Sequence, residues 1–429
     1  MTTHDSPVWH PFTQHAVADP ALLVARAAGA YLYTEDGRQI IDGIASWWVN
    51  THGHCHPKIV AAVQQQAALL EQVVFAGFTH QPAEMLAREL LALAGAPAAR
   101  VFFSDSGSTA VEVALKMAIG FWAHRGQKRR RIVALDHGYH GDTFGTMAAG
   151  ARSVFNRIYE PYLFEVTHLP FPAAGQEQVT LDALARMLEQ TPHDLAALIV
   201  EPLVLGAGGM MMYKAAVLRD LAELCRRYDV LLIADEVMTG WGRTGTLFAC
   251  EQAGVKPDLM CLSKGITGGF LPMGVTLATE AIYQAFYHTD RSRMFFHSSS
   301  YTGNPLACAA ALAALEIWRE EPVLERIATI AARHRAAAVR LGARDDVLNM
   351  RVLGTILAFE VRGTAGYTSP LGALLYRHFL ARNVLLRPLG NTVYVMPPYC
   401  IGGADLERIY DAIHDTLDNL RDARAEPVL

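Results

Sequence analysis

No basic tract, no apolar run long enough to cross a bilayer and no CxxC pair occurs in these 429 residues. Each absence removes a class of function. The net charge is −5, and the one short cationic run, Lys128–Arg131, precedes an apolar strand-like segment. Such a run reads as a solvated helix end, so nucleic-acid binding is not expected. A membrane span needs about 18 consecutive apolar residues, and no window of that kind is present. The opening MTTHDSPVWHP lacks the charged and apolar regions of a secretory leader. The six cysteines are scattered, at 55, 225, 250, 261, 308 and 400. That scatter suits reduced thiols, and a cytoplasmic protein is expected. The phosphate-loop pattern GxxxxGK[ST] is missing, and Gly206–Gly209 (GAGG) falls short of a dinucleotide fingerprint and reads as a turn. His52, His54, Cys55 and His56 are crowded together. No second ligand pair lies at the spacing zinc sites use, so no metal is expected.

What is present is a large apolar core and a regular alternation of elements. The hydrophobic fraction is 52%, enough for a sizeable interior. Apolar runs flank Asp36-Gly37, a hairpin signal. Pro57 opens a helix carrying Ile59, Val63 and Leu70, and a second helix runs from Gln81 to Ala94. VFFS (Val101–Ser104) precedes a helix on which Val111, Leu115, Ala118 and Trp122 share one face. Strand-like runs at 132–135, 196–201, 230–234 and 259–263 then alternate with helices such as 214–228. This alternation predicts a mostly parallel sheet covered on both faces. After about residue 310 the pattern changes to two helices (Leu306–Trp318 and 322–341), the strand-like NMRVLG, ILAFEV and TVYVMPP, and an amphipathic helix from Ala404. The expected fold class is α/β. Residues 59–317 form a large domain, 318–429 a smaller α+β domain, and 1–58 an N-terminal segment joining the smaller one.

Two strand ends carry the chemistry. VLLIA (Val230–Ala234) ends in Asp235, and LMCLS (Leu259–Ser263) ends in Lys264. Open α/β sheets bind ligands at the carboxyl ends of their strands. An acid and an amine delivered there suit pyridoxal 5′-phosphate (PLP), whose aldehyde takes a lysine and whose ring nitrogen takes an acid. The same residues serve equally as a turn cap and a surface lysine. Asp105-Ser106-Gly107-Ser108-Thr109 lies between a strand and a helix, where backbone amides and hydroxyls make an anion site. It also reads as an ordinary helix cap. In Asp136–Thr143 (DHGYHGDT), Tyr139 can lie flat over a bound ring, and Asp142 can orient a neighbour such as Arg243.

These pieces together resemble the class III (subgroup II) aminotransferases, which are fold-type I PLP-dependent transferases. The resemblance rests on DGIASWWVNTHGHCHP, FFSDSGSTAVEVALKMA, GYHGDT, LIVEP, LLIADEVMTGWGRTGTLFACE, PDLMCLSKGITGG and SYTGNPLACAAA, in that order. It implies that Lys264 is the Schiff-base lysine and Asp235 the partner of the ring nitrogen, with Tyr139 the third catalytic residue. Val237 and Tyr139 would face the ring, and Gly107 and Ser108 would hold the phosphate. Ser299 and Ser300 would reach the phosphate in the neighbouring subunit, which implies a homodimer with shared active sites.

Within the family, the opening WHPF, Trp47-Trp48, HGYHGDTFG and LLRPLGNTVYVMPPY are similar to members that act in biotin synthesis. Those members move an amino group to 8-amino-7-oxononanoate, usually from S-adenosylmethionine. The likeness implies that Arg387 binds the substrate carboxylate and that Phe12, Trp47, Trp48 and Ser298 line the substrate side. Adjacent tryptophans in extended chain would point opposite ways, leaving one for the site. Phe12 stands where many of these enzymes have tyrosine, and Ser298-Ser299-Ser300 replaces a Gly-Pro-Thr type of turn. The alternatives are another class III aminotransferase acting on diamines, ω-amino acids or aryl amines, and the same biotin step with lysine as donor. An aminomutase or decarboxylase on the same fold, or a non-catalytic binding module, is a further reading.

Overall fold

The computed structural model describes residues 6–191 and 193–425, with side chains as far as 421. The extreme ends of the first and last expected segments lie outside these residues. The centre is a seven-stranded sheet. Its spatial order is Ala98–Ser104, Gly274–Thr279, Leu259–Leu262, Leu231–Asp235, Leu195–Val200, Arg131–Leu135 and Val166–Leu169. Only Gly274–Thr279 runs against the others. Every residue of Leu195–Val200 and Leu231–Asp235 is buried. Strands covered on both faces need continuous apolar runs rather than alternation, and these segments supply them.

Helix Gly107–His124 covers one face. Val111, Leu115, Ala118 and Trp122 are all buried there, and the Trp122 Nε1–H donates to the Ala196 carbonyl at 2.9 Å. The sequence pattern leaves out two strands, Val166–Leu169 and Gly274–Thr279. Both are short and carry polar residues. Thr276 nevertheless buries its hydroxyl by donating to the Ala110 carbonyl at 2.8 Å, so its polarity costs little.

The N-terminal segment forms a sheet of Val24–Ala28, Tyr31–Thr34 and Gln39–Asp42, and its last strand pairs in parallel with Val384–Leu385. A third, antiparallel sheet holds Val347–Leu353, Ile356–Val361 and Thr392–Val395. Two bonds tie the N-terminal chain to the segment after it: Met396 N–H to the Gly43 carbonyl at 2.8 Å and Tyr399 N–H to the Thr51 carbonyl at 2.7 Å. The helices Pro305–Glu320, Val323–Gly342 and Gly403–Ala425 lie close to their expected positions. GAGG turns between the short strands Val204–Leu205 and Met211–Met212. No described helix is long and apolar enough to cross a membrane.

One glycine ties the third sheet to the loop after Asp235. Gly354 has φ of +55°, and a Cβ there would run into the Thr244 carbonyl carbon and the Arg243 oxygen. The next amide, Thr355 N–H, donates to that same Arg243 oxygen at 2.9 Å. Gly354→Ala is therefore expected to destabilise the protein by about 1–3 kcal/mol. The check is the Tm of the cofactor-loaded protein at fixed concentration, and an unchanged Tm would show that the loop yields freely.

Candidate active site

The neighbouring parallel strands Leu231–Asp235 and Leu259–Leu262 end at the same edge of the sheet. One delivers Asp235. The other delivers Lys264 after Ser263, where the chain turns into a short 3-10 helix and Lys264 takes a φ of +48°. Both line a cavity of about 160 Å³ with Trp48, Ser106, Gly107, Ser108, Tyr139, His140, Gly141, Glu201, Val237, Met238 and Ser263. The Lys264 amine is 4.8 Å from the centre of the Trp48 ring, and the Trp48 Nε1–H donates to the Tyr394 hydroxyl at 2.9 Å. Burial pushes the amine down to about 8, although the charges of Asp235 and Glu201 pull the other way; Arg243 adds a smaller push downward. Desolvation dominates because an ammonium loses more in leaving water than two partly screened carboxylates return.

Asp235 is held from two sides. One oxygen is 2.7 Å from His140 Nδ1, and the other accepts the Val237 N–H at 3.1 Å. Burial alone would lower the His140 imidazole. The hydrogen bond and charge of Asp235, with the charge of Glu201, outweigh it and move the group upward. Glu201 lies beside this pair, fully enclosed, accepting the Tyr139 N–H at 3.0 Å and the Gly206 N–H at 2.9 Å. Burial raises Glu201 to about 7, with His140 opposing and Asp235 adding to the rise. Sequence reasoning named neither His140 nor Glu201 as a site residue. A signal for Glu201 existed, because the run AALIVE ends on it as VLLIAD ends on Asp235. His140 had none, because its partner is 95 residues away.

The opposite end of the cavity is a helix start. Ser106 and Thr109 form a reciprocal cap: Ser106 Oγ accepts the Thr109 N–H at 3.1 Å, and Thr109 Oγ1 accepts the Ser106 N–H at 2.9 Å. The cap reading of this segment holds, and the anion reading stands beside it. The Gly107 and Ser108 amides open the helix and have no carbonyl one turn back within it. A Cβ on Gly107 would lie 2.7 Å from Val237 Cγ1, so glycine keeps this end open. A phosphate at the helix start, an aldehyde at Lys264 and a ring nitrogen at Asp235 match the donors and acceptors here. The residues therefore fit PLP.

Trp47 and Trp48 do not sit in extended chain. They end a tight helical turn, Ala45–Trp48, in which Ala45, Ser46 and Trp48 have positive φ. Trp48 is 5% exposed and lines the cavity, whereas Trp47 is 41% exposed. Trp47 lies 5.6 Å from the Phe12 ring and 5.2 Å beneath the Arg387 guanidinium. Phe12, Trp47 and Arg387 are thus brought together, outside the cavity proper. Asp142 does not orient Arg243. Its backbone N–H donates to Ser108 Oγ at 3.2 Å, and the Tyr139 phenol is raised by burial and then by the charge of Asp142. Arg243 is buried and donates instead to the carbonyls of Pro397, Trp48 and Asn50 at 2.8, 3.3 and 3.1 Å. Ser298, Ser299 and Ser300 are not in the cavity lining: Ser299 N–H bonds Thr302 Oγ1 at 2.9 Å, and Gln72 Nε2 bonds the Ser300 carbonyl at 2.8 Å.

The histidine cluster is dispersed among separate partners. His54 pairs with Asp42 at 2.9 Å and His56 with Glu321 at 3.0 Å. Burial holds His52 down to about 3, with His56 and Arg243 next in effect. Among the described residues, no three His, Cys, Asp or Glu side chains are grouped as a metal ion needs.

Comparison with known proteins bears on this geometry. The family model for class-III aminotransferases matches residues 12–417. The adenosylmethionine-8-amino-7-oxononanoate aminotransferase of Synechococcus elongatus is 49% identical over 420 residues, spanning 96% of this chain and 99% of that protein. The crystal structure of the enzyme of the same name from Methanocaldococcus jannaschii superposes with a TM-score of 0.92 at 31% identity, covering 96% of this chain and 97% of the other. A PLP-bound amine transaminase from an uncultivated Pseudomonas species superposes equally well, at 0.92 and 31% identity, over 97% and 99% of the two chains.

The depressed amine predicts a pH dependence. A lysine at about 8 is largely neutral above that pH and protonated below it. Capture of PLP by cofactor-free protein, trapped with borohydride and located by mass spectrometry, is expected to rise with pH through a midpoint near 8. A midpoint near the ordinary 10.5 would show that burial does not hold the amine down.

Proposed function

The chain belongs to the class III aminotransferases, and from that premise we propose that it converts 8-amino-7-oxononanoate to 7,8-diaminononanoate in biotin synthesis, with S-adenosylmethionine as donor. It is a PLP-dependent aminotransferase acting on small molecules. The observation that carries the reading is one cavity joining the Lys264 amine, the buried Asp235–His140 pair and a helix start at Gly107. The names and identities of its relatives support the choice of acceptor.

When bound, PLP supplies an aldehyde for the incoming amine and a ring that withdraws electrons from the carbon beside it. In this reading Lys264 holds the cofactor at rest. In its neutral form, favoured above about 8, the amine would take the proton from the amine-bearing carbon and later return one. Asp235, fixed by His140 and the Val237 amide, keeps the ring nitrogen protonated. The Gly107 and Ser108 amides would bind the phosphate, and Val237 and Tyr139, which line the cavity, would flank the ring. Trp48 closes the site near Lys264 and excludes water. Arg387, at the mouth, takes the acceptor's carboxylate through its planar fork.

The same reading makes the protein a cytoplasmic homodimer, divided at 58/59 and 317/318. Two observations support a shared site. Ser298–Ser300 lie off this chain's own cavity, and the apolar Phe296 and Tyr301 beside them are exposed, as are Leu69, Val74 and Phe78. The serine hydroxyls would then serve the partner's phosphate. Phe12 offers an aromatic face without a hydroxyl, and a cationic sulfonium needs only the face. Lysine as donor is the second reading, because that face does not exclude it.

Growth rescue of a biotin-requiring strain that lacks this step is the expected result and tests the acceptor. Lys264→Ala is expected to abolish turnover and the visible absorbance of the bound cofactor; retained turnover would remove Lys264 from its role. The donor is tested by mixing the PLP form separately with S-adenosylmethionine and with lysine. Conversion to the pyridoxamine form by the first is expected, and rapid conversion by lysine alone would overturn the assignment.

A further inference from the structure

Four aromatic rings from four separate segments meet at the mouth of the site. Phe12 lies 5.6 Å from Trp47, 5.9 Å from Phe155 and 6.3 Å from Tyr367, and Phe155 lies 4.7 Å from Tyr367. The series continues inward, since Phe155 is 6.2 Å from Tyr139 in the cavity. Of these four mouth rings, only that of Tyr367 carries a hydroxyl.

The backbone holds Tyr367 against the turn that follows Arg387. A Cβ on Gly390 would run into the Gly366 carbonyl and lie 3.1 Å from the Tyr367 nitrogen, so the two loops touch backbone to backbone. The Ser369 N–H closes the Tyr367 loop on the Gly366 carbonyl at 3.0 Å. Arg387 lies over Trp47 and 5.9 Å from Tyr376, with one long bond, 3.4 Å, to the Phe12 carbonyl. Among the described residues, neither the Arg387 guanidinium has an acidic partner nor the Tyr367 hydroxyl a hydrogen-bond partner. Burial raises the Tyr394 phenol, its Trp48 bond and the charge of Arg387 lower it, and Tyr367 raises it further. A guanidinium without an acidic partner and a hydroxyl without a hydrogen-bond partner therefore border the same aromatic cluster.

We propose that Tyr367 is a specificity-determining residue whose hydroxyl donates, beside Arg387, to the terminal carboxylate of a medium-chain substrate. A guanidinium and a phenol can satisfy different oxygens of one carboxylate, while the rings pack its methylene chain. The inference rests on the reading that the acceptor ends in such a carboxylate. It extends that reading to a residue in the loop before helix Pro370–Ala381.

The test uses the cofactor-loaded protein with nonanoate and 1-nonanol as probes, measured by titration calorimetry. A hydrogen bond to a charged group corresponds to about tenfold or more in affinity. Tyr367→Phe is expected to weaken nonanoate by about that factor and to leave nonanol and the cofactor absorbance unchanged. Equal affinity of both proteins for nonanoate, no binding of nonanoate to the native protein, or an equal loss for nonanol would each overturn the assignment. Turnover of 8-amino-7-oxononanoate by the native protein, measured alongside, tests the acceptor separately. Its absence with nonanoate discrimination intact would sink the acceptor and keep the carboxylate site.

Discussion

An amine held out of water beside two buried carboxylates is the constraint on which the rest of the site depends. Lys264, Asp235 and Glu201 are enclosed at one sheet edge, with the His140 imidazole bonded to Asp235. Charges in such a place are unfavourable unless partnered. The arrangement meets that cost unevenly. Asp235 accepts two hydrogen bonds, and Glu201 accepts two backbone N–H groups. Among the described residues Lys264 has the Trp48 face and no hydrogen-bond acceptor for its amine, and burial loosens its hold on a proton. On the proposed reading, a lysine that alternates between bonding a cofactor and carrying a proton would use that looseness. The same low-dielectric surroundings strengthen the hold of Asp235 on whatever faces it.

Glu201 couples the two sides of this arrangement. Its carboxylate receives the Tyr139 amide, which positions a cavity-lining ring, and its charge acts on both His140 and Lys264. The Gly206 amide on its other oxygen belongs to the turn between Val204–Leu205 and Met211–Met212. A Cβ on Gly206 would stand 3.0 Å from Met238 Cε and 3.2 Å from Trp48 Cζ3, so this turn also packs the wall behind Lys264.

How much of this the sequence makes legible follows from where each residue sits. Asp235 and Lys264 stand out because a buried strand is a continuous apolar run, and one charge ending it is conspicuous. The same rule, applied once more, picks out Glu201. His140 is invisible to it, because the Asp235 contact exists only after the strand Arg131–Leu135 pairs with its neighbours. The Trp47-Trp48 pair is misplaced by an assumption of extended backbone. Three positive φ values in Ala45–Trp48 turn one ring inward and the other outward, and side-chain type carries no sign of that. The parallel sheet and its covering helices follow from alternation of period. Gly274–Thr279 escapes because its two threonines hide a strand that hydrogen bonding makes buriable.

The base of the site and its mouth are built from different materials. The groups suited to chemistry hang from strand ends and a helix start, where regular backbone hydrogen bonds leave little freedom. Phe12, Phe155, Tyr367 and Arg387 stand on irregular segments packed against one another, joined by aromatic contacts and a single long bond to Arg387. Loops of this kind tolerate exchange of side chains far better than strand ends do. A hydroxyl missing at one loop position can therefore be present on another across the same opening without disturbing the proton-handling groups beneath. On the proposed reading, Phe12 would bear on which molecules enter and how firmly their tails are held, and not on whether Lys264 moves a proton.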